Sequence, residues 1–381
     1  MTSDSRTRAR DKIAQLSTQG LELVDFWRQA SEVIAVAVPY YWSPCWYTLD
    51  PASLLITSHF NQDVERMPSE WLAAEYYEDD VNKLSEIARS QRGISTLHDA
   101  TGGDPTGSPR WQENMKYGGD QEMLCALRTS TGEAWGALGL YRDEGRPRFD
   151  AAELAFISDV SGHLAEGARN ALLVGEARES EALDGPGLMV LSSDWEVESM
   201  TPGLDRWLDD LPDGDRSAGN LPAAVVAVAS RALRTVAGSN PSGEFAMARV
   251  LSRSGTWMVL HGVTLASADG ARAAVIFEPA HPARITPLLM SVYGLTQREQ
   301  EVTRRVLQGC STTEIASELF ISPHTVQEHL KHVFEKTGVR SRRDLVGKVF
   351  FAHYEPRVRD NEVRASEGRP LRGDPVLDRH A

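Results

Sequence analysis

From Leu21 to Val38 the apolar residues Leu23, Phe26, Ala30, Val33, Ile34 and Ala37 recur at intervals of three and four. That spacing predicts an amphipathic helix, and Pro39 ends it because proline supplies no backbone donor and clashes with the preceding turn. Two short apolar runs follow, Cys45 to Leu49 and Leu54 to Phe60. Between them lies Asp50-Pro51-Ala52-Ser53, where Asp can bond its own turn and Pro pre-sets φ, so the pair predicts a hairpin. A helical stretch over Trp71 to Arg92 leads to a loop, Asp99 to Pro109, rich in Gly, Pro, Asp and Thr. Glu122 to Arg128 and Ala134 to Tyr141 predict a second hairpin around Thr129-Ser130-Thr131-Gly132-Glu133. Asp150 and Glu153 have capping-box spacing, and the stripe Leu154, Ile157, Leu164, Ala168, Ala171 predicts a long helix. Residues 1 to 20 are polar and mixed in charge, a leader or the start of a helix.

A charged and then Gly/Pro-containing stretch, 176 to 187, marks a linker. Beyond it the order of elements changes. Leu188 to Leu191 and Glu196 to Met200 flank the turn Ser192-Ser193-Asp194. Pro202 to Leu208 and Pro222 to Val236 carry helical spacing. Glu244 to Ser252, Thr256 to Thr264 and Ala271 to Glu278 predict three closing strands. Helix, strands, helices, strands and exit helix over 21 to 175 resemble the GAF family in order and spacing. The region 188 to 280, with its G-L-M-V-L-S-S-D-W-E-V-E-S-M-T-P opening, resembles a PAS domain. These resemblances imply two α+β sensor regions that bind small molecules or dimerise.

After a proline-bearing linker over 281 to 290 the pattern turns purely helical. Thr296 and Glu299, then Ser311 and Glu314, each have the spacing by which a cap hydroxyl and a carboxylate satisfy two orphan amide donors. Gly309 is placed to end the first helix in the left-handed conformation. Ser322 with Pro323 starts a third helix, since proline lacks only a donor that would be unsatisfied there. Phe320 and Ile321 alone separate it from the second, whose buried side would be Ile315, Ala316 and Leu319. The spacing predicts a helix-turn-helix.

The residues L-T-Q-R-E-Q-E-V and G-C-S-T-T-E-I-A-S-E-L-F-I-S-P-H-T-V-Q-E-H-L-K-H-V-F-E-K-T-G-V-R-S-R resemble the LuxR-type DNA-binding domain. The resemblance covers 291 to 352 and implies an all-α four-helix domain. It further implies that the third helix docks in the DNA major groove as part of a homodimer, in a bacterial transcription regulator. On that helix Val326, Leu330, Val333 and Phe334 share one face and should be core, while His324, Gln327, Glu328, Lys331 and Glu335 share the other. Gln327 can serve an adenine edge, Glu328 can accept from cytosine and Lys331 can reach guanine or phosphate. The family commonly carries lysine where this chain has Gln327, which removes a positive charge. Thr312 and Thr313 at the second helix N-terminus, Thr325 and His329 at the flank, and Lys336, Arg340, Arg342 and Arg343 beyond are candidate phosphate contacts. For His329 a structural role is an equal reading, and each basic residue has the alternative of a solvated surface charge. A last helix over Asp344 to Phe351 supplies the dimer contact by the resemblance, or simply completes the core.

Charge fits this division. The 381 residues carry a formal net charge of −14, yet 291 to 352 hold nine Lys/Arg against seven Asp/Glu. An acidic body with a mildly basic terminal module is expected where only the module meets a polyanion. The tail 353 to 381 mixes charge, Gly and Pro without periodicity and reads as disordered. Cys45, Cys125 and Cys310 are scattered and imply reduced thiols. No apolar run approaches a membrane span and no secretory leader is visible, so the expected location is the cytosol. G-x-S-x-G, H-E-x-x-H and phosphate-loop motifs are missing, and His59, His98, His163, His261 and His281 lack paired metal-ligand spacing, so neither enzyme activity nor a cofactor or metal is expected. Trp42, Trp46, Tyr41 and Tyr47 can line a ligand pocket or pack as core. The competing reading of the whole is a ligand sensor whose helical module docks a protein, such as RNA polymerase, rather than DNA.

Overall fold

Alternating apolar strands and amphipathic helices assemble into two compact units, residues 1–176 with 186–279, and residues 177–185 with 280–381. The computed structural model describes residues 3–63, 68–174, 186–214, 221–236, 245–267, 270–280 and 290–346. The expected linkers over 176–187 and 281–290, the tail over 353–381 and the end of the last helix lie wholly or largely outside these residues.

The first unit contains two α+β regions. In the first, helices α1 (Ser3–Leu16) and α2 (Leu23–Ala37) precede β1 (Cys45–Leu49) and β2 (Ile56–Phe60). Helices α3 (Ser69–Tyr77) and α4 (Leu84–Arg89), strand β3 (Ile94–Thr96) and helices α5 (Leu97–Ala100) and α6 (Pro109–Met115) follow. Strands β4 (Gln121–Arg128) and β5 (Ala134–Arg142) and the long α7 (Ala151–Val174) close it. The second region runs β6 (Gly187–Leu191), β7 (Val197–Met200), α8 (Leu204–Asp210), α9 (Ala223–Val236), β8 (Met247–Leu251), β9 (Trp257–Ser267) and β10 (Gly270–Pro279). Both sheets are antiparallel, with orders β2-β1-β5-β4-β3 and β7-β6-β10-β9-β8. Counted along the chain, the two orders are the same.

Local chemistry accounts for the boundaries. Asp50 Oδ1 accepts from Ala52 N at 2.9 Å, the bond that makes the β1–β2 turn. Asp150 and Glu153 form a reciprocal cap before α7, with Glu153 N to Asp150 Oδ1 at 2.7 Å and Asp150 N to Glu153 Oε2 at 2.9 Å. Behind the first sheet, Trp27 stacks on Trp46 with centroids 5.9 Å apart, and Trp46 Nε1 donates to Ser31 Oγ at 2.9 Å. Gly167 of α7 lies where a Cβ would meet the Phe26 ring at 2.1 Å, so only glycine permits this helix–helix approach.

One open expectation is resolved and two are corrected. Of the two readings of residues 1 to 20, the start of a helix is the one seen: α1 is a helix whose Ala9, Ile13 and Leu16 are buried in the core with α2 and α7. Three apolar residues within a polar stretch suffice once two neighbours supply the opposing surface. The stretch 71 to 92 is two helices, interrupted where Asn82 adopts φ +60°, a conformation a helix interior excludes. The loop 99 to 109 closes on α6, capped by Ser108, and β3 was not anticipated because three residues carry no period.

The two α+β regions meet within one unit through α9, which packs on α3 and β2. Asp50, fully buried, accepts from Arg249 N at 2.9 Å and Arg249 Nε at 3.0 Å. Asp213 Oδ2 accepts from Ala223 N at 3.0 Å and His59 N at 3.3 Å. Burial pushes the Asp213 carboxyl up to about 6 and the His59 ring down to about 3, so that ring is neutral.

Candidate nucleic-acid interface

The second unit is built from α10 (Gln297–Leu307), α11 (Thr312–Glu318) and α12 (Pro323–Thr337), with further helix at 342–346. Both capping boxes form. Glu299 N donates to Thr296 Oγ1 at 3.3 Å and Thr296 N to Glu299 Oε2 at 2.7 Å; Ser311 N donates to Glu314 Oε2 at 2.6 Å and Glu314 N to Ser311 Oγ at 3.3 Å. Ser322 Oγ accepts from Thr325 N at 3.0 Å, with Pro323 in the first helical turn. Gly338 ends α12 at φ +68°. The turn between α11 and α12 takes its left-handed residue at Phe320 (φ +54°), and Ile321 N closes back to Ala316 O at 3.0 Å.

One core orients these helices. Val302, Val306, Ile315, Ala316, Leu319, Val326, Leu330, Val333 and Leu345 are buried together, and Phe334 packs partly buried against them. With Val326, Leu330 and Val333 turned inward, the 3.6-residue period turns His324, Gln327, Glu328, Lys331 and Glu335 outward, and all five are exposed. Thr325 and His329 are half-buried at the margin of that stripe. Thr313, Arg340 and Arg343 are exposed, while Thr312 is half-buried.

Two of the candidate phosphate ligands also have intramolecular partners. Lys336 Nζ lies 2.6 Å from Glu299 Oε2, joining the end of α12 to the cap of α10. Burial alone would raise the Glu299 carboxyl, but the Lys336 and Thr296 hydrogen bonds outweigh it and hold it below its ordinary value. Arg342 donates through Nη1 to Thr312 Oγ1 at 3.2 Å and through Nη2 to the Cys310 carbonyl, so it fastens the 342–346 helix to the start of α11. Sequence reasoning saw these two as surface cations. The signal it lacked is long-range, since the partners lie 37 and 30 residues away. Phe320, 94% exposed in the turn, was likewise passed over as a mere spacer.

A buried apolar stripe, an exposed polar stripe and a tight left-handed turn define a helix-turn-helix. Residues 293–349 match the model of bacterial regulatory proteins of the luxR family. The spore germination protein GerE of Bacillus subtilis is 48% identical over 52 residues, 14% of this chain and 70% of that protein. An HTH-type transcriptional regulator of Mycobacterium tuberculosis is 52% identical over 53 residues, 14% of this chain. The transcriptional regulatory protein UhpA of Escherichia coli is 41% identical over 56 residues, 15% of this chain and 29% of its own. The chain belongs to the luxR family of bacterial regulatory proteins through this module. It spans only 6% of the length of the mycobacterial relative. Among the described residues, no helix is long and apolar enough to cross a membrane.

Proposed function

We propose that this protein is a transcription regulator that binds double-stranded DNA sequence-specifically as a homodimer, with α12 in the major groove. The observation that carries this reading is the exposed stripe His324, Gln327, Glu328, Lys331 on a helix whose opposite face is locked in a core. Side chains held on a rigid helix can present hydrogen-bonding groups to base edges without a backbone ordering cost. Gln327 and Glu328 serve adenine and cytosine edges, and Lys331 serves guanine or phosphate. Thr312, Thr313, Thr325, His329, Arg340 and Arg343 flank the stripe and serve the backbone. Arg342 and Lys336 act mainly by holding the helices in place.

The first unit is the regulatory part in this reading. Its two sheets, of one strand order, support a GAF-like region followed by a PAS-like one. A change there would alter the spacing of two modules whose half-sites lie about one helical turn apart. Selection of genomic fragments by the full-length protein, followed by gel shift at several salt concentrations, tests the proposal. The expected result is a shared sequence motif and an affinity that falls steeply with salt. Fragments without a common motif, or binding indifferent to salt, would refute it.

A further inference from the structure

The first sheet has two buried faces of opposite chemistry. Trp46, Met123, Cys125, Leu127, Leu138 and Leu140 point toward α1, α2 and α7 and form a hydrocarbon core. Strand register puts Glu122 opposite Tyr141 and Cys45 opposite Gly139 on the other face, with Tyr47 beside them. The Glu122 side chain is 0% exposed. It accepts from Asn82 Nδ2 at 2.8 Å and Asn114 Nδ2 at 3.0 Å, with Arg110 Nη1 at 3.6 Å. The same guanidinium donates to Glu75, itself 5% exposed. Glu75 also accepts from Leu84 N at 2.7 Å and feels the buried Lys83 and Arg231, whereas the ion pair of Glu122 is the longer one to Arg110. Lys83 gives its ammonium to the Glu78 carbonyl. A buried carboxylate costs most where its cation is distant, so Glu122, whose Arg110 is drawn to Glu75, is the acid here that a further cation would stabilise.

A second observation points the same way. Both asparagines give Nδ2 to an acceptor-only carboxylate, which fixes the orientation of their amides. Asn82 Oδ1 and Asn114 Oδ1 are then buried with no donor, on side chains of residues 5% and 1% exposed. The surroundings are aromatic: Trp42 stacks on Tyr141 at 4.6 Å and Trp71 is tilted toward it at 6.3 Å. Trp42 and Trp71 are half-buried, whereas Trp27 and Trp46 behind the sheet are fully buried. The cover is α6, whose fully buried side chain is Asn114 and whose Arg110 reaches in beside it. A cover attached by polar groups can exchange those bonds for a ligand's.

We propose that this face of the first sheet binds a small organic cation with N–H donors, an amine on an aryl or alkyl body. Its ammonium pairs with Glu122 and donates to Asn82 Oδ1 and Asn114 Oδ1. The rings of Trp42, Trp71 and Tyr141 take the body and the cation's face. The site goes beyond the DNA-binding reading and does not depend on it.

Full-length protein without DNA is titrated with a primary-amine series from methylamine through butylamine to tyramine, and with two matches of tyramine, the alcohol tyrosol and the acid 4-hydroxyphenylacetate. Tryptophan fluorescence and the thermal midpoint are the readouts. Members of the amine series should quench and stabilise, and the alcohol and acid should not. Glu122→Gln keeps the shape and should weaken the amine by more than about tenfold. Trp71→Leu, at a half-buried position, should weaken it severalfold with little change in the unliganded midpoint, which separates binding from folding. Silence of the whole amine series at millimolar concentration, equal binding of the acid, or wild-type amine affinity in both variants would overturn the proposal. A parallel gel shift reports DNA binding separately, so either reading can fail alone.

Discussion

The two units use charge in opposite directions. In the α+β unit three arginines turn inward: Arg249 to Asp50, Arg142 to Glu153 and Arg110 to Glu75 and Glu122 are pairs with side chains 0 to 12% exposed. In the helix-turn-helix most charge faces water, and Glu299 is its buried acid among the described residues. The difference teaches what each unit is arranged to do. Surface charge contributes little to stability and is free to meet a polyanion. Buried charge costs desolvation and earns its place through the geometry it imposes.

The largest effect should come from breaking an inward pair. Arg249→Ala leaves Asp50 buried without its cation and should cost the α+β unit about 3–5 kcal/mol in a denaturant melt. A loss under about 1 kcal/mol would mean that water replaces the guanidinium freely and that the contrast between the units is false.

Acid should next act on the two units with opposite sign. The Asp213 carboxyl is raised from 3.8 to about 6 in the folded chain, so its destabilising contribution is absent below 3.8 and grows as pH rises toward 6. Wild type minus Asp213→Asn should therefore lose about 2–3 kcal/mol across that window, read by melts at fixed salt. Glu299 is lowered, so its contribution is present above 4.5 and lost as pH falls through its depressed value. Lys336→Met should remove about 1–2 kcal/mol from the module at neutral pH and flatten that acid limb. A flat difference for both acids would sink the sign argument.

The smallest change in stability belongs to the outward stripe. Lys331→Ala should move the melting free energy by less than about 0.5 kcal/mol. The same substitution should reduce the salt slope of DNA binding by about one. Gln327→Lys, restoring the residue common in the family, should steepen that slope and change the preferred base. If Lys331→Ala unfolds the module while leaving the slope intact, the stripe is structural.

Much of the module was legible because its determinants are local. A capping box needs four consecutive residues, a left-handed stop needs one glycine, and an outward stripe follows from 3.6-residue spacing. The hairpins were legible for the same reason. The α1 helix was legible only as one of two readings, because Ala9, Ile13 and Leu16 in a charged stretch acquire meaning only against α2 and α7. The break at Asn82 was not legible: its left-handed backbone comes with an amide bonded to Glu122, 40 residues on.

The sequence by itself determined the boundaries of most elements, the class of the terminal module and the residues on the outer face of α12, since each depends on neighbours within a few positions. Only the tertiary structure decided which charges are internal. Asp50 and Arg249 are 199 residues apart, and Lys336 and Glu299 are 37. A charge that reads as solvated in the chain becomes structural or available according to what the fold places against it, and that choice is made by packing rather than by periodicity.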